Sequence, residues 1–208
     1  MAIVLKSKNY NEIKIDTKII NGVLGNNYEM FLASLVGKNT CYINNVDINN
    51  YIIDNDKYAK LLNINKIIKK NINDLSHSEK KLISYYICIK KNPKIIIINE
   101  PYLDLDFKEK KYINNLLNIL IKEGKTIIIG SHDSNIIYSL CKKVILVDNY
   151  DLYYDDIKIL INEKVISKYH LDMPNIIKFI NLAKKKNITI PFSKDIRDLI
   201  KDVYRNVS

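Results

Sequence analysis

The apolar positions of this chain fall into two rhythms, one without interruption and one with the period of a helix. Ile95 to Ile98 is a run of four isoleucines with no polar break. Such a run suits a strand covered on both faces, as central parallel strands are. Thr126 to Ile129 repeats the pattern. Between them, from Phe107 to Glu123, the residues Ile113, Leu116, Leu117, Leu120 and Ile121 recur at the spacing of an amphipathic helix, and Gly124 is placed to stop it. Strand, helix and strand in that order predict a βαβ unit. Its two strands must be parallel, because the helix carries the chain back between them. The fold class that follows is α/β, a parallel sheet flanked by helices.

Polar residues with useful chemistry gather at the ends of these elements. Asn99, Glu100 and Pro101 follow the first strand, Leu105-Asp106 precedes the helix, and Ser131-His132-Asp133 follows the second strand. The carboxyl edge of an open parallel sheet is the usual ligand crevice, so Glu100 and His132 are expected on one edge. Upstream, Leu75-Ser76-His77-Ser78-Glu79 contains Ser-x-x-Glu, the capping box that satisfies free N–H groups at a helix start.

The order and spacing of these pieces resemble those of an ATP-binding cassette (ABC) ATPase, with the sheet of a P-loop NTPase. The resemblance makes Asn99-Glu100-Pro101 a Walker B motif, with Glu100 polarising the attacking water and Asn99 at the Mg²⁺ position. A neutral amide is a poorer partner for a hard cation than a carboxylate. It makes His132 the residue that contacts the γ-phosphate and places Asp106 among the nucleotide-binding residues. Leu75 to Glu79 looks like the signature that closes over ATP held by a partner subunit, with Ser76 as its nucleotide-binding residue. His77 and Ser78 replace the two signature glycines, and Glu79 brings a carboxylate towards a triphosphate. The capping box accounts for what Ser76 and Glu79 do now, and the signature for their ancestry.

A phosphate loop should precede this segment. Gly22-Val23-Leu24-Gly25-Asn26-Asn27 resembles its opening, so Gly25, Asn26 and Asn27 are the candidate phosphate-binding positions, followed by a helix from Tyr28 to Val36. No lysine lies between Asn21 and Lys38, the second loop glycine and the Mg²⁺-binding hydroxyl are missing, and Glu29 adds a negative charge. Gly37-Lys38-Asn39-Thr40 imitates Gly-Lys-Thr out of frame and reads as structural, with Gly37 as a helix C-cap.

Between Gly37 and Leu75 the resembled family carries a Q-loop glutamine and a helical subdomain. The interval is short here, and the chain contains no glutamine. Cys41 to Ile48 reads as a strand and turn of a small antiparallel sheet, and Lys57 to Lys69 as a remnant helix. The tail resembles the carboxyl-terminal extension of energy-coupling factor (ECF) transporter ATPases, through Leu171-Asp172-Met173-Pro174, the apolar set Ile176, Ile177, Ile180 and Leu182, and Asn187 to Pro191. Pro174 suits a first helical turn, and Ser193 can cap a last helix bearing Ile196, Leu199, Ile200 and Val203. In the resembled family this tail helps pair two ATPase subunits. Packing on its own domain is the other reading of the same helices. The expected division is residues 1–156 for the cassette domain and 157–208 for the extension.

Composition changes this picture little. The 208 residues suffice for one domain with an appendage. Cys41, Cys88 and Cys141 are scattered and no signal peptide pattern is visible, so reduced thiols are expected in a cytoplasmic chain, peripheral at the inner face of the membrane if it docks there. The net charge of +10 comes almost wholly from lysines spread along the chain, a pattern of solvated faces in which nucleic acid is not expected. The resemblance implies ATP and Mg²⁺ as cofactors, while the eroded loop argues against binding by this chain. It also implies an intact ABC ATPase as a heterodimer partner and a transmembrane transporter subunit. The expected role is a degenerate pairing or regulatory subunit of an importer. The alternative is a non-transport scaffold that binds nucleic acid or protein.

Overall fold

The computed structural model describes residues 2–187 except 8, 36, 38, 50, 51, 68 and 69, and beyond them residues 200, 201 and 204. In chain order the strands and α-helices are β1 (Ala2–Leu5), β2 (Ile13–Asp16), β3 (Ile20–Gly25), α1 (Tyr28–Ser34), β4 (Thr40–Tyr42), α2 (Lys57–Leu61), α3 (His77–Lys90), β5 (Ile95–Asn99) and α4 (Phe107–Lys122). There follow β6 (Thr126–Gly130), α5 (Ser134–Leu140), β7 (Lys143–Asp148), β8 (Asp151–Asp156), α6 (Glu163–Lys168) and α7 (Asn175–Lys185). The main sheet has the order β4-β5-β6-β3-β7-β8. Its first five strands are parallel, and β8 closes the edge antiparallel to β7. β1 and β2 pair antiparallel as a separate two-stranded sheet.

The uninterrupted isoleucine runs are explained by the two cores. Ile96, Ile98, Ile127, Ile129, Val144 and Leu146 point to one face, under α3, α4 and α5. Ile97, Ile128, Ile145 and Val147 point to the other, under α1 and the β1–β2 pair. Both sets are almost completely buried. Each fully buried isoleucine contributes roughly 1.5–3 kcal/mol, which is why these runs carry no polar break between Ile95 and Ile98 or between Ile127 and Ile129. The α4 stripe Ile113, Leu116, Leu117 and Leu120 is buried as its spacing requires, and Gly124, at φ 81, follows the helix end in the left-handed conformation.

Three local expectations differ from the structure. Cys41 is not in a small antiparallel sheet: β4 is the outer parallel strand of the main sheet, paired Thr40↔Ile95 to Tyr42↔Ile97, and Ile43–Asn45 forms a 3-10 turn. Lys57 to Lys69 is not one helix either. The α-helix stops at Leu61 because Asn63 takes φ 55, and a 3-10 turn over Ile64–Ile67 follows. Finally, α1 ends at Ser34 with Leu35 as its C-cap, so Gly37 lies past the cap. There Gly37 closes a turn in which Thr40 Oγ1 accepts from its N–H at 2.6 Å and donates to its carbonyl at 2.7 Å.

The tail packs inward over its first part. Pro174 is the N-cap of α7, one residue before the helix proper. Ile177 is buried in the same core as the strands, together with Ile157, Leu160, Ile166 and Tyr169. Ile176 and Ile180 pack against that core, while Phe179 and Leu182 are exposed. The expectations for Ser193, Ile196, Leu199 and Val203 lie outside the described residues.

Candidate functional site

Strand register builds the site. Asn99 at the end of β5 is level with Gly130 at the end of β6, and the Glu100 N–H donates to the Gly130 carbonyl at 2.9 Å. Glu100 and His132 therefore leave neighbouring parallel strands on one edge. They meet directly: the His132 backbone N–H donates to Glu100 Oε1 at 2.6 Å, and the Ser131 hydroxyl donates to Oε2 at 2.8 Å. Gly25 ends β3 on the same edge, and Asn26 and Asn27 follow it. Glu100 holds φ 47, a left-handed backbone that turns its carboxylate back over the strand ends.

The centre of this edge is filled by Tyr28, the first residue of α1. Its ring is buried, and its hydroxyl lies 3.0 Å from both Asn99 Oδ1 and Glu100 Oε1. A phenol has one proton, and both of these oxygens are acceptors, so the two share a single donor. Burial first, and the Glu100 charge second, push the Tyr28 pKa far above the usual tyrosine range. At neutral pH it is a neutral donor. The His132 ring is exposed on the rim and meets Tyr28 edge to face, with centroids 4.8 Å apart.

Asn99 is held from every side. Its Nδ2 donates to Glu29 Oε1 at 2.8 Å, its backbone N–H donates to Asn44 Oδ1 at 3.1 Å, and its carbonyl accepts from Lys81 Nζ at 3.2 Å. Burial lowers the Lys81 pKa, against the opposing pull of Asp104 and Glu100. Asn99 Oδ1 already accepts from Tyr28, and a neutral amide is a poorer partner for a hard cation than a carboxylate. Among the described residues no group of three or more His, Cys, Asp or Glu could hold a metal ion.

The segment that resembles a phosphate loop is short. Only Asn26 and Asn27 connect β3 to α1. Asn27 is the N-cap, in left-handed conformation with φ 58, and its side chain caps nothing. A phosphate cradle needs a glycine-rich loop long enough to turn several N–H groups inward and a lysine to meet the outer phosphates. Two residues cannot form it, and a buried phenol replaces the cation. The residues present do not fit Mg-ATP.

Ser76 and Asp106 both act as helix caps. Ser76 Oγ accepts from the Glu79 N–H at 3.2 Å, Glu79 Oε2 accepts from the Ser76 N–H at 2.9 Å, and Lys70 pairs with Glu79 Oε1 at 2.7 Å. Asp106 and Glu109 repeat the reciprocal arrangement at the start of α4. Ser76→Ala should therefore lower stability by about 1 kcal/mol in urea titrations. An unchanged midpoint would mean that water replaces the cap without loss.

Sequence reasoning missed Tyr28, Ser131, Lys81 and Asn44. The one available signal was the length of the interval from Gly25 to the apolar run Phe31-Leu32, which is too short for a phosphate loop and puts Tyr28 at the helix start.

No family model matches this chain. A protein of Pyrococcus furiosus described as an ABC transporter ATP-binding protein is 34% identical over 121 residues, 57% of this chain and 44% of that protein. Over the matched stretches the chain is similar to ABC transporter ATP-binding proteins. The ECF transporter ATP-binding protein EcfA3 of Oenococcus oeni is 25% identical over 151 residues, 71% of this chain and 52% of its own length. The chain thus spans about half the length of these ABC relatives. Among solved structures, the ATP-binding subunit of an ABC transporter aligns with a TM-score of 0.62 at 12% identity, over 78% of this chain and 88% of that one. The cbiO1 protein of Clostridium perfringens, part of the ABC transporter complex cbiONQ, aligns with a TM-score of 0.60 at 20% identity, over 86% and 98%. These likenesses give the ABC ATPase fold.

Proposed function

We propose that this chain is a non-hydrolysing ABC subunit that serves as a pairing or regulatory partner of an intact ABC ATPase in an importer of ECF type. The observation that carries this reading is the Tyr28 hydroxyl bonded to both Asn99 and Glu100. The group that would receive metal and phosphate is closed by the chain's own side chain, while the sheet edge that bears it is kept intact. Glu100 has both oxygens occupied as acceptors, so it works here as an anchor for the β5 and β6 ends. A subunit of this kind keeps the shape that a partner recognises and leaves nucleotide chemistry to that partner.

Calorimetry of the purified chain with Mg-ATP tests the first half. No heat of binding is expected up to millimolar nucleotide, and micromolar affinity would overturn the reading. Glu100→Gln should leave any background turnover unchanged.

The exposed pair Phe179 and Leu182 on α7 supports the tail as the pairing surface, because adjoining exposed apolar side chains mark interaction sites. Truncation from Leu171 is a poor test, since it removes Ile177 from the main core. Phe179→Ser with Leu182→Ser is the better one. Co-expressed with an intact ABC ATPase, the double variant should lose co-purification while its melting curve stays unchanged. Retention at full yield would assign the tail a purely structural role, and recovery of nucleic acid in place of the ATPase would favour a scaffold.

A further inference from the structure

Two of the three cysteines meet beneath the outer strand of the main sheet. Cys41 sits on β4, level with Ile96 of β5, and belongs to the core under α3 that also holds Ile96 and Ile98. Cys88 lies in the last turn of α3 and enters the same core. There the Cys88 S–H donates a hydrogen bond to the Cys41 sulfur. Cys141 is remote from this pair: its sulfur lies beside Gly22 of β3, and β5 and β6 separate β3 from β4.

The two sulfurs differ in exposure and in their hold on a proton. Cys88 is wholly buried, whereas Cys41, on the edge strand, keeps 6% of its surface open. The hydrogen bond from Cys88, and after it the charge of Lys91 at the α3 C-cap, holds the Cys41 thiol below the ordinary cysteine range against the effect of burial. The same hydrogen bond and burial push Cys88 up. A thiolate is the nucleophile of sulfur chemistry, and a second thiol in contact with it is placed to resolve the product. An opening this narrow admits only an oxidant of about the size of water. We propose that Cys41 and Cys88 form an oxidation site for hydrogen peroxide, with Cys41 the attacking sulfur and Cys88 the resolving one. The Cys41 thiolate attacks one peroxide oxygen: an S–O bond forms, the O–O bond breaks, and the leaving hydroxide takes up the proton that Cys41 released. The Cys88 sulfur then attacks the Cys41 sulfur: an S–S bond forms, the S–O bond breaks, and hydroxide departs with the Cys88 proton as water. Two thiols are oxidised to one disulfide, and one peroxide is reduced to two waters. The site is independent of subunit pairing and of nucleotide.

The test exposes the full reduced chain, freed of reductant, to hydrogen peroxide. Maleimide titration under denaturing conditions should fall from three thiols to one, and the intact mass should fall by about 2 Da, the two hydrogens lost. Peptide mapping should place the bond between Cys41 and Cys88, and a reductant should restore all three thiols. Cys88→Ala should halt at a Cys41 sulfenic acid that dimedone traps, and Cys41→Ala should slow loss of the Cys88 thiol about tenfold. Three thiols that survive peroxide while a small dithiol in the same buffer is oxidised would overturn the proposal. So would a bridge that involves Cys141 or a second chain, or a Cys88 thiol lost as fast in Cys41→Ala as in the native chain. The thiol count and the mapped bond of the native chain decide the matter even if the alanine variants do not fold.

Discussion

Gly25→Ala is expected to lower the stability of the chain by about 3 kcal/mol or more, although the resemblance gives this residue a place in a phosphate loop rather than a structural duty. Gly25 has φ 114, and a Cβ built there would lie 2.1 Å from the Val147 carbonyl oxygen. Both terms act on backbone. Gly25 is level with Val147 in the β3–β7 register, so neither strand can yield without breaking parallel pairing in the middle of the sheet. Urea unfolding followed by circular dichroism measures the effect. Gly37→Ala is the control, because nothing lies within 4 Å of its would-be Cβ, and it should be close to neutral. A loss below about 1 kcal/mol for Gly25→Ala would mean that the strand end relaxes, and that Gly25 is a remnant without a structural duty.

This residue illustrates what was legible in the sequence and what was not. β5, β6 and α4 were legible because unbroken isoleucines and a helical stripe each have one stable placement, between two layers or on one. The shared edge for Glu100 and His132 followed from parallel strands alone. β4 was misplaced because three residues carry too little pattern to tell a parallel edge from a hairpin, and its partner lies more than fifty residues away in sequence. The break at Asn63 left no mark in the apolar spacing, since the 3-10 turn still buries Ile64 and Ile67. The absence of lysine near Gly25 was plain, yet the contact that replaces it joins residues 71 and 72 positions apart and depends on side-chain reach. Local pattern carries no information on such a pair. The tail shows the same limit in reverse: Ile176, Ile177, Ile180 and Leu182 are expected along one apolar side, and the structure divides them between the core at Ile177 and the solvent at Leu182.

Replacement of Tyr28 separates a plug from a keystone, two roles with opposite consequences. As a plug, Tyr28 would merely obstruct a phosphate site, and Tyr28→Ala would open it. As a keystone, it supplies the one hydroxyl proton shared by Asn99 and Glu100, and it fills space under which Gly130 has no room for a side chain: a Cβ there would meet the Tyr28 ring at 2.6 Å. The geometry favours the keystone, because the loop that would have to wrap a phosphate is two residues long whatever stands at position 28. Tyr28→Phe should therefore cost about 1 kcal/mol, because the half-buried Asn99 Oδ1 loses this donor while Glu100 Oε1 keeps the His132 N–H. Tyr28→Ala should cost about 3–5 kcal/mol, because it adds a cavity in the second core. Neither variant should bind Mg-ATP. Denaturant titration and calorimetry on the same preparations decide the matter: micromolar Mg-ATP binding by Tyr28→Ala would make Tyr28 an inhibitory plug and restore the site beneath it to nucleotide chemistry, whereas a stability loss without binding leaves Tyr28 as the residue that holds a closed sheet edge in shape.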